Sequence, residues 1–90
     1  MSEVSRSVTL LNRRGLHARA SAKFVTLASG LPAPVEVEKD GARVSGTSIM
    51  GLMMLGAAYG DAIVIHGSGE HADEAIASLA ALVEGRFGED

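Results

Sequence analysis

His17 follows a glycine, Gly15, by two residues and precedes a run of helix-forming residues that begins at Ala18. Arg13 and Arg14 stand before it, and Arg19 stands just after. A neutral imidazole nitrogen is a nucleophile that can hold a transferred group covalently. The first amides of a helix have no partner inside the helix, and the helix dipole favours an anion there. His17, the backbone of Ala18 and Arg19, and the Arg19 guanidinium therefore form a candidate phosphoryl-accepting site. The positive charge nearby is expected to favour the neutral ring. A polar helix cap beside a surface arginine is the plainer reading of the same residues, and the residue types alone leave both open.

Ser48 is the second candidate. It opens a short helical run, where a serine hydroxyl satisfies free amides as an N-cap. Ile49, Met50, Met53, Met54 and Leu55 are too many apolar residues for one short helix to bury on one face. Leu52 and Leu55 are expected in the core, leaving Ile49, Met50 and Met53 as an exposed apolar patch suited to docking. His66 and His71 show no ligand spacing on a shared face, so no metal site is expected. Gly67 to Gly69 reads as a turn, because the lysine and hydroxyl residue of a phosphate-binding loop are missing.

The elements that must carry these residues follow from periodicity. Val4, Val8 and Leu10 alternate with polar residues, predicting a strand over Val4 to Leu11. A helix from Ala18 to Ala28 buries Ala20, Phe24, Leu27 and Ala28 and exposes Arg19, Lys23 and Thr26; Gly30 and Pro32 stop it. Strands are expected over Pro34 to Glu38 and Ala42 to Ser45, joined at Asp40-Gly41. After the short helix that Thr47 and Ser48 open and Gly56 ends, Ala62 to His66 reads as a strand. A last helix, His71 to Glu84, carries an apolar stripe of Ala72, Ala75, Ile76, Leu79, Leu82 and Val83, with acids near its start. The order is βαββαβα, an α+β open-faced sandwich with helices on one side of the sheet.

Ninety residues make one domain, 1–90, with a modest core. The absence of cysteine excludes a disulfide framework and thiolate metal sites. The chain opens without an apolar signal core, and its longest apolar stretch is too short to cross a bilayer, so a cytoplasmic location is expected. Residues 1–23 hold five bases and one acid, for +4, while residues 24–90 hold three bases and ten acids, for −7. A basic end on an acidic chain suits a phosphate or an acidic partner surface. Nucleic acid is disfavoured, since only Phe24, Tyr59 and Phe87 could stack on bases.

Gly15, Leu16, His17, Ala18 and Arg19, followed by Ala22, Lys23, Phe24 and Val25, resemble the active-site segment of the HPr family of the phosphoenolpyruvate-dependent phosphotransferase system, which includes the nitrogen-branch NPr proteins. The block from Gly46 to Gly56 is similar to that family's other signature. The resemblance implies a four-stranded antiparallel sheet with three helices on one face. It implies that His17 is phosphorylated through Nδ1 and that Arg19 pairs with the phosphate. It further implies enzyme I as donor, a histidine of an enzyme IIA domain as acceptor, and docking through Ala22, Ile49, Met50 and Met53. Such a carrier is a stoichiometric relay component, a monomer without a cofactor, rather than an enzyme. In some lineages a dedicated HPr kinase/phosphorylase modifies the serine that Ser48 matches. The function so implied is sugar uptake, regulation or both, with a purely regulatory nitrogen-type role as the alternative. Ala20 stands where many family members have proline, which leaves the first helical turn less constrained.

Overall fold

A computed structural model describes residues 3–89. Met1 and Ser2, part of the stretch read for a signal core, and Asp90, counted in the acidic portion, lie outside the described residues. The chain forms β1 (Glu3–Thr9), α1 (Ala18–Ser29), β2 (Val35–Lys39), β3 (Ala42–Ser45), α2 (Ile49–Met54), β4 (Ala62–Ser68) and α3 (Ala72–Glu84), then a single 3₁₀ turn over Arg86–Gly88. The strands make one antiparallel sheet in the order β1-β4-β2-β3. β4 lies between β1 and β2, so the last strand in sequence ties the first to the β2–β3 hairpin.

Alternation decides the two faces of this sheet. Val8 of β1, Val35 and Val37 of β2, and Ile63 and Ile65 of β4 are buried. They meet Ala20, Phe24 and Ala28 of α1, Leu52 of α2, and Ala75, Ile76, Leu79 and Val83 of α3 in one core. The opposite face carries Ser5, Ser7, Glu36, Glu38, Arg43 and His66, and among the described residues no helix covers it. Charge pairs lie across it. Arg43 Nε donates to Glu36 at 2.7 Å, a second Arg43 nitrogen pairs with Glu3, and His66 Nε2 meets Glu38 at 2.7 Å. Among the described residues no helix is long and apolar enough to cross a membrane.

The expected element order holds, and the differences are local. β4 runs on through Gly67 and Ser68, where the sequence predicts a turn. Gly67 completes the buried alternation and lets α3 approach, since a Cβ there would meet the Ile76 side chain at 3.3 Å. Ser21, polar in sequence, is fully buried in α1 because its hydroxyl donates to the Leu16 carbonyl at 3.1 Å. Past α3 the chain does not trail away. Arg86, Phe87 and Gly88 all take positive φ, and Phe87 is buried in the core. This turn folds the C-terminal segment back toward α1, where Lys23 Nζ donates to the Phe87 carbonyl at 2.7 Å.

The loop from β1 to α1 is held just as closely. Gly15 has φ +59, and a Cβ on it would lie 2.3 Å from the Ala57 carbonyl oxygen. The next amide, Leu16 N–H, donates to that same carbonyl at 3.0 Å. A Gly15→Ala substitution must both adopt a left-handed conformation and push two backbones apart. It is expected to cost about 2 kcal/mol or more, read as a lowered urea midpoint with an unchanged m-value, and to shift the His17 ring resonances.

Candidate functional site

The site forms where α1 begins. His17 has extended backbone, φ −71 and ψ 176, and is the N-cap of α1. Its carbonyl accepts from Ser21 N–H at 2.9 Å, the first bond of the helix. Its ring turns back onto the helix mouth, so that Nδ1 accepts from the Arg19 backbone N–H at 3.3 Å. Histidine is an unusual cap, since serine, threonine, aspartate and asparagine fill that place most often. Here the capping atom is also a nucleophilic ring nitrogen. The structural reading of His17 and the chemical one therefore describe a single arrangement.

The Arg19 backbone N–H meets the ring at Nδ1. The Arg19 guanidinium does not. It is exposed and, among the described residues, has neither a hydrogen bond nor an ion pair. It lines a shallow groove along α1 with Ala22, Lys23, Thr26 and Leu27. Arg13 and Arg14 are exposed as well, and Arg13 lines a separate cleft with Leu11, Tyr59 and Arg86. Among the described residues, none of these three guanidiniums makes a hydrogen bond or ion pair with His17.

The charge that does touch it is negative. Glu89 Oε2 lies 2.6 Å from His17 Nε2, and the two side chains are only 21% and 15% exposed. Glu89 Oε1 accepts from Asn12 Nδ2 at 3.1 Å. Asn12 is buried and donates a second bond to the Gly15 carbonyl at 2.8 Å. Neither Asn12 nor Glu89 stands out in the sequence. Asn12 reads as a loop residue and Glu89 as one more acid near the chain end. The nearest sequence signal is the apolar Phe87 in a charged, glycine-containing tail, which marks the tail as anchored.

Partial burial acts to raise the Glu89 pKa. Hydrogen bonds from Asn12 and His17 outweigh it, with help from the charges of His17 and Lys23, and the carboxyl lies below its ordinary range.

Ser48 is the N-cap of α2, and its hydroxyl accepts from Gly51 N–H at 3.0 Å. On that helix Leu52 is buried, and Ile49, Met50 and Met53 are exposed as expected. Met54 is more exposed still, at 80%. α2 packs beside α1, so this apolar patch and the Ala22 groove belong to neighbouring helices. His66 and His71 sit apart, on the open face of the sheet and at the start of α3. Each is paired with a glutamate, Glu38 and Glu74 respectively.

Residues 4–85 match the family described as "PTS HPr component phosphorylation site". The phosphocarrier protein HPr of Neisseria meningitidis serogroup A is 46% identical over 86 residues, covering 96% of this chain and 97% of that protein. The phosphocarrier protein NPr of Shewanella violacea is 38% identical over 89 residues, covering 99% and 98%. The crystal structure of HPr-C-His from Thermoanaerobacter tengcongensis superposes with a TM-score of 0.89 at 41% identity, covering 100% of this chain and 99% of that one.

The depressed carboxyl gives the C-terminal contact a definite pH dependence. An acid whose folded pKa lies below its unfolded value stabilises the fold fully above the unfolded value, and the gain is lost as pH falls through the folded one. The Glu89 contact is therefore expected to persist through neutral pH and to release only below the ordinary glutamate value of about 4.3. Carboxyl-carbon NMR should find Glu89 titrating below that value in the wild type and closer to it in Asn12→Ala or His17→Ala.

Proposed function

The chain belongs to the HPr family of phosphocarriers, and from that premise we propose that His17 accepts a phosphoryl group from phospho-enzyme I and delivers it to a histidine of an enzyme IIA domain. The observation that carries this reading is the imidazole set as the cap of α1, with Nδ1 at the helix mouth. The Nδ1 lone pair attacks phosphorus, an Nδ1–P bond forms, and the bond from phosphorus to the donor's leaving atom breaks. The Arg19 amide, which capped Nδ1, becomes a donor to the phosphoryl oxygens, and the helix dipole favours their charge. The Ala18 amide adds a second donor. Arg19, whose guanidinium has no hydrogen bond or ion pair among the described residues, swings it onto the phosphate as a charge-assisted pair. Delivery to the acceptor reverses these steps, so the chain is consumed and regenerated in stoichiometric amounts and is a carrier, not a catalyst.

Docking uses the neighbouring faces of α1 and α2. Ala22 supplies small relief beside Arg19. Ile49, Met50 and Met53 supply apolar contact, and exposed Met54 widens the patch. Flexible thioethers suit a surface that must fit a donor and an acceptor in turn. The protein acts in the cytoplasm as a monomer with one domain, 1–90, and the relay serves sugar uptake, regulation or both. The near full-length similarity to an NPr protein favours one other reading, a nitrogen-type regulatory protein that acts through phosphorylation-dependent binding. The acceptor separates the two: transfer to a sugar-permease domain supports transport, and transfer only to a regulatory enzyme IIA supports the other.

His17→Ala is expected to abolish labelling by enzyme I and radiolabelled phosphoenolpyruvate while the amide spectrum stays native. The wild-type label is expected to be acid-labile and base-stable, as for phosphohistidine. Label on the alanine variant at the wild-type level excludes His17 as the acceptor.

Ser48 is the regulatory position, open to an HPr kinase/phosphorylase. A phosphate there sits at the α2 N-terminus, so the fold tolerates it, but it adds negative charge beside the docking face. Ser48→Asp is expected to be charged by enzyme I roughly tenfold more slowly, about 1.4 kcal/mol of docking free energy. Charging as fast as wild type counts against this role.

A further inference from the structure

The Glu89 carboxylate bridges the Asn12 and His17 side chains. Oε1 takes the Asn12 hydrogen bond at 3.1 Å, and Oε2 takes His17 Nε2 at 2.6 Å. The orientation of Asn12 is not ambiguous. Its two partners, the Gly15 carbonyl and Glu89, only accept, so the amide nitrogen must face both. An ionised carboxylate likewise only accepts, which puts the proton of the His17–Glu89 contact on Nε2. When the ring is neutral, Nδ1 then holds the lone pair. At that end the Arg19 N–H, 3.3 Å away, also requires an acceptor. Both ends of the imidazole thus demand one tautomer, the one with a nucleophilic Nδ1 at the helix mouth.

We propose that Glu89 is a positioning residue for phosphoryl transfer, which holds the His17 ring by its Nε2–H and balances the positive charge the ring gains when Nδ1 bonds to phosphorus. This rests on the reading of His17 as phosphoryl acceptor. As the Nδ1–P bond forms and the donor's bond to phosphorus breaks, Nε2 keeps its proton and no proton moves. The ring, having given its lone pair, is formally an imidazolium. A carboxylate already hydrogen-bonded to Nε2 stabilises that cation, by the logic through which the acid of a catalytic triad supports its histidine. Glu89 also repels an incoming phosphate. It meets the ring at the nitrogen that is not phosphorylated, however, and its other oxygen is engaged by Asn12 Nδ2 at 3.1 Å.

The device belongs to the C-terminal turn. The family match ends at residue 85, and Glu89 lies beyond it. What delivers it is the buried Phe87, the positive-φ path through Arg86 to Gly88, and the Lys23 bond to the Phe87 carbonyl. Glu89 N–H also donates to the Arg86 carbonyl at 2.9 Å, which closes the turn just before the side chain leaves for the ring.

The test uses the full chain labelled with ¹⁵N-histidine, with Glu89→Ala and Glu89→Gln alongside the wild type. In the wild type the His17 Nε2 proton is expected as a downfield resonance protected from exchange. In Glu89→Ala it should exchange at least tenfold faster, and charging by enzyme I should slow about tenfold, the lower end of what losing the hydrogen-bond partner of a metal-bound histidine costs. Glu89→Gln, whose carbonyl can still accept from Nε2–H, should regain the protected proton yet stay slower than wild type for want of charge. A wild-type charging rate in Glu89→Ala, or an Nε2 proton no better protected in the wild type than in that variant, overturns the proposal. The ring measurement needs no phosphorylation. A wild type with the protected proton that takes no label therefore points to failure of the phosphocarrier reading itself, and the transfer role of Glu89 falls with it.

Discussion

Gly15 holds a left-handed backbone in direct contact with the chain at Ala57 and Ala58, at a separation that no side chain could enter. This approach sets the height of the β1–α1 loop above the rest of the molecule. The Leu16 N–H bond to the Ala57 carbonyl uses the contact, and the Gly15 carbonyl receives the Asn12 amide. With these made, Leu16 is buried, and the Ser21 hydroxyl reaches back to its carbonyl from the first turn of α1. His17 is then the next residue, and its place at the helix mouth is left with little freedom. Backbone groups that the sheet and helix do not use have been spent on holding a loop, as buried amides and carbonyls require.

Two helices in this fold start on side-chain caps, and the caps do different physical work. Ser48 puts a hydroxyl on the Gly51 amide, a common and tight arrangement. His17 puts a ring nitrogen on the Arg19 amide at a longer 3.3 Å. A long cap costs α1 little, because packing of Ala20, Phe24 and Ala28 against the core supplies most of the helix's stability. It leaves Nδ1 weakly engaged and therefore available. Ala20 fits the same picture. Its methyl group is fully buried, so the position contributes to the core where a proline would instead have restricted the turn.

Most of the framework could be read from residue spacing. The alternation in β1 and β2 and the stripe along α3 are dictated by burial of one face, and burial of one face is what the structure shows. Ser48 and His17 were legible as caps because both stand where a helical run begins. What could not be read is contact between distant segments. His17 and Glu89 are 72 residues apart, and no local rule couples them. The C-terminal turn was equally hidden, because two of its three positive-φ residues, Arg86 and Phe87, are not glycines. Phe87 tolerates that conformation because burying its ring offsets the strain. Local propensity gives no hint of the bargain. The sign of the nearest charge was missed for the same reason: the arginines are close to His17 in sequence, and the carboxylate is close only in space.

That reversal of sign bears on what a carrier needs. A group that receives a phosphoryl and must soon release it cannot sit in a pocket of fixed, buried cations, since each desolvated pair would deepen the bound state and slow departure. The guanidiniums of Arg13, Arg14 and Arg19 are instead in solvent, where their attraction is screened and worth little until a partner covers them. The part-buried contact at the ring is to a carboxylate, which holds Nε2 but gives no hold on phosphate. Charge fixed in the protein thus acts on the nucleophile, and charge free to move acts on the cargo. In such an arrangement the docked partner, by excluding water, decides when the arginines begin to count.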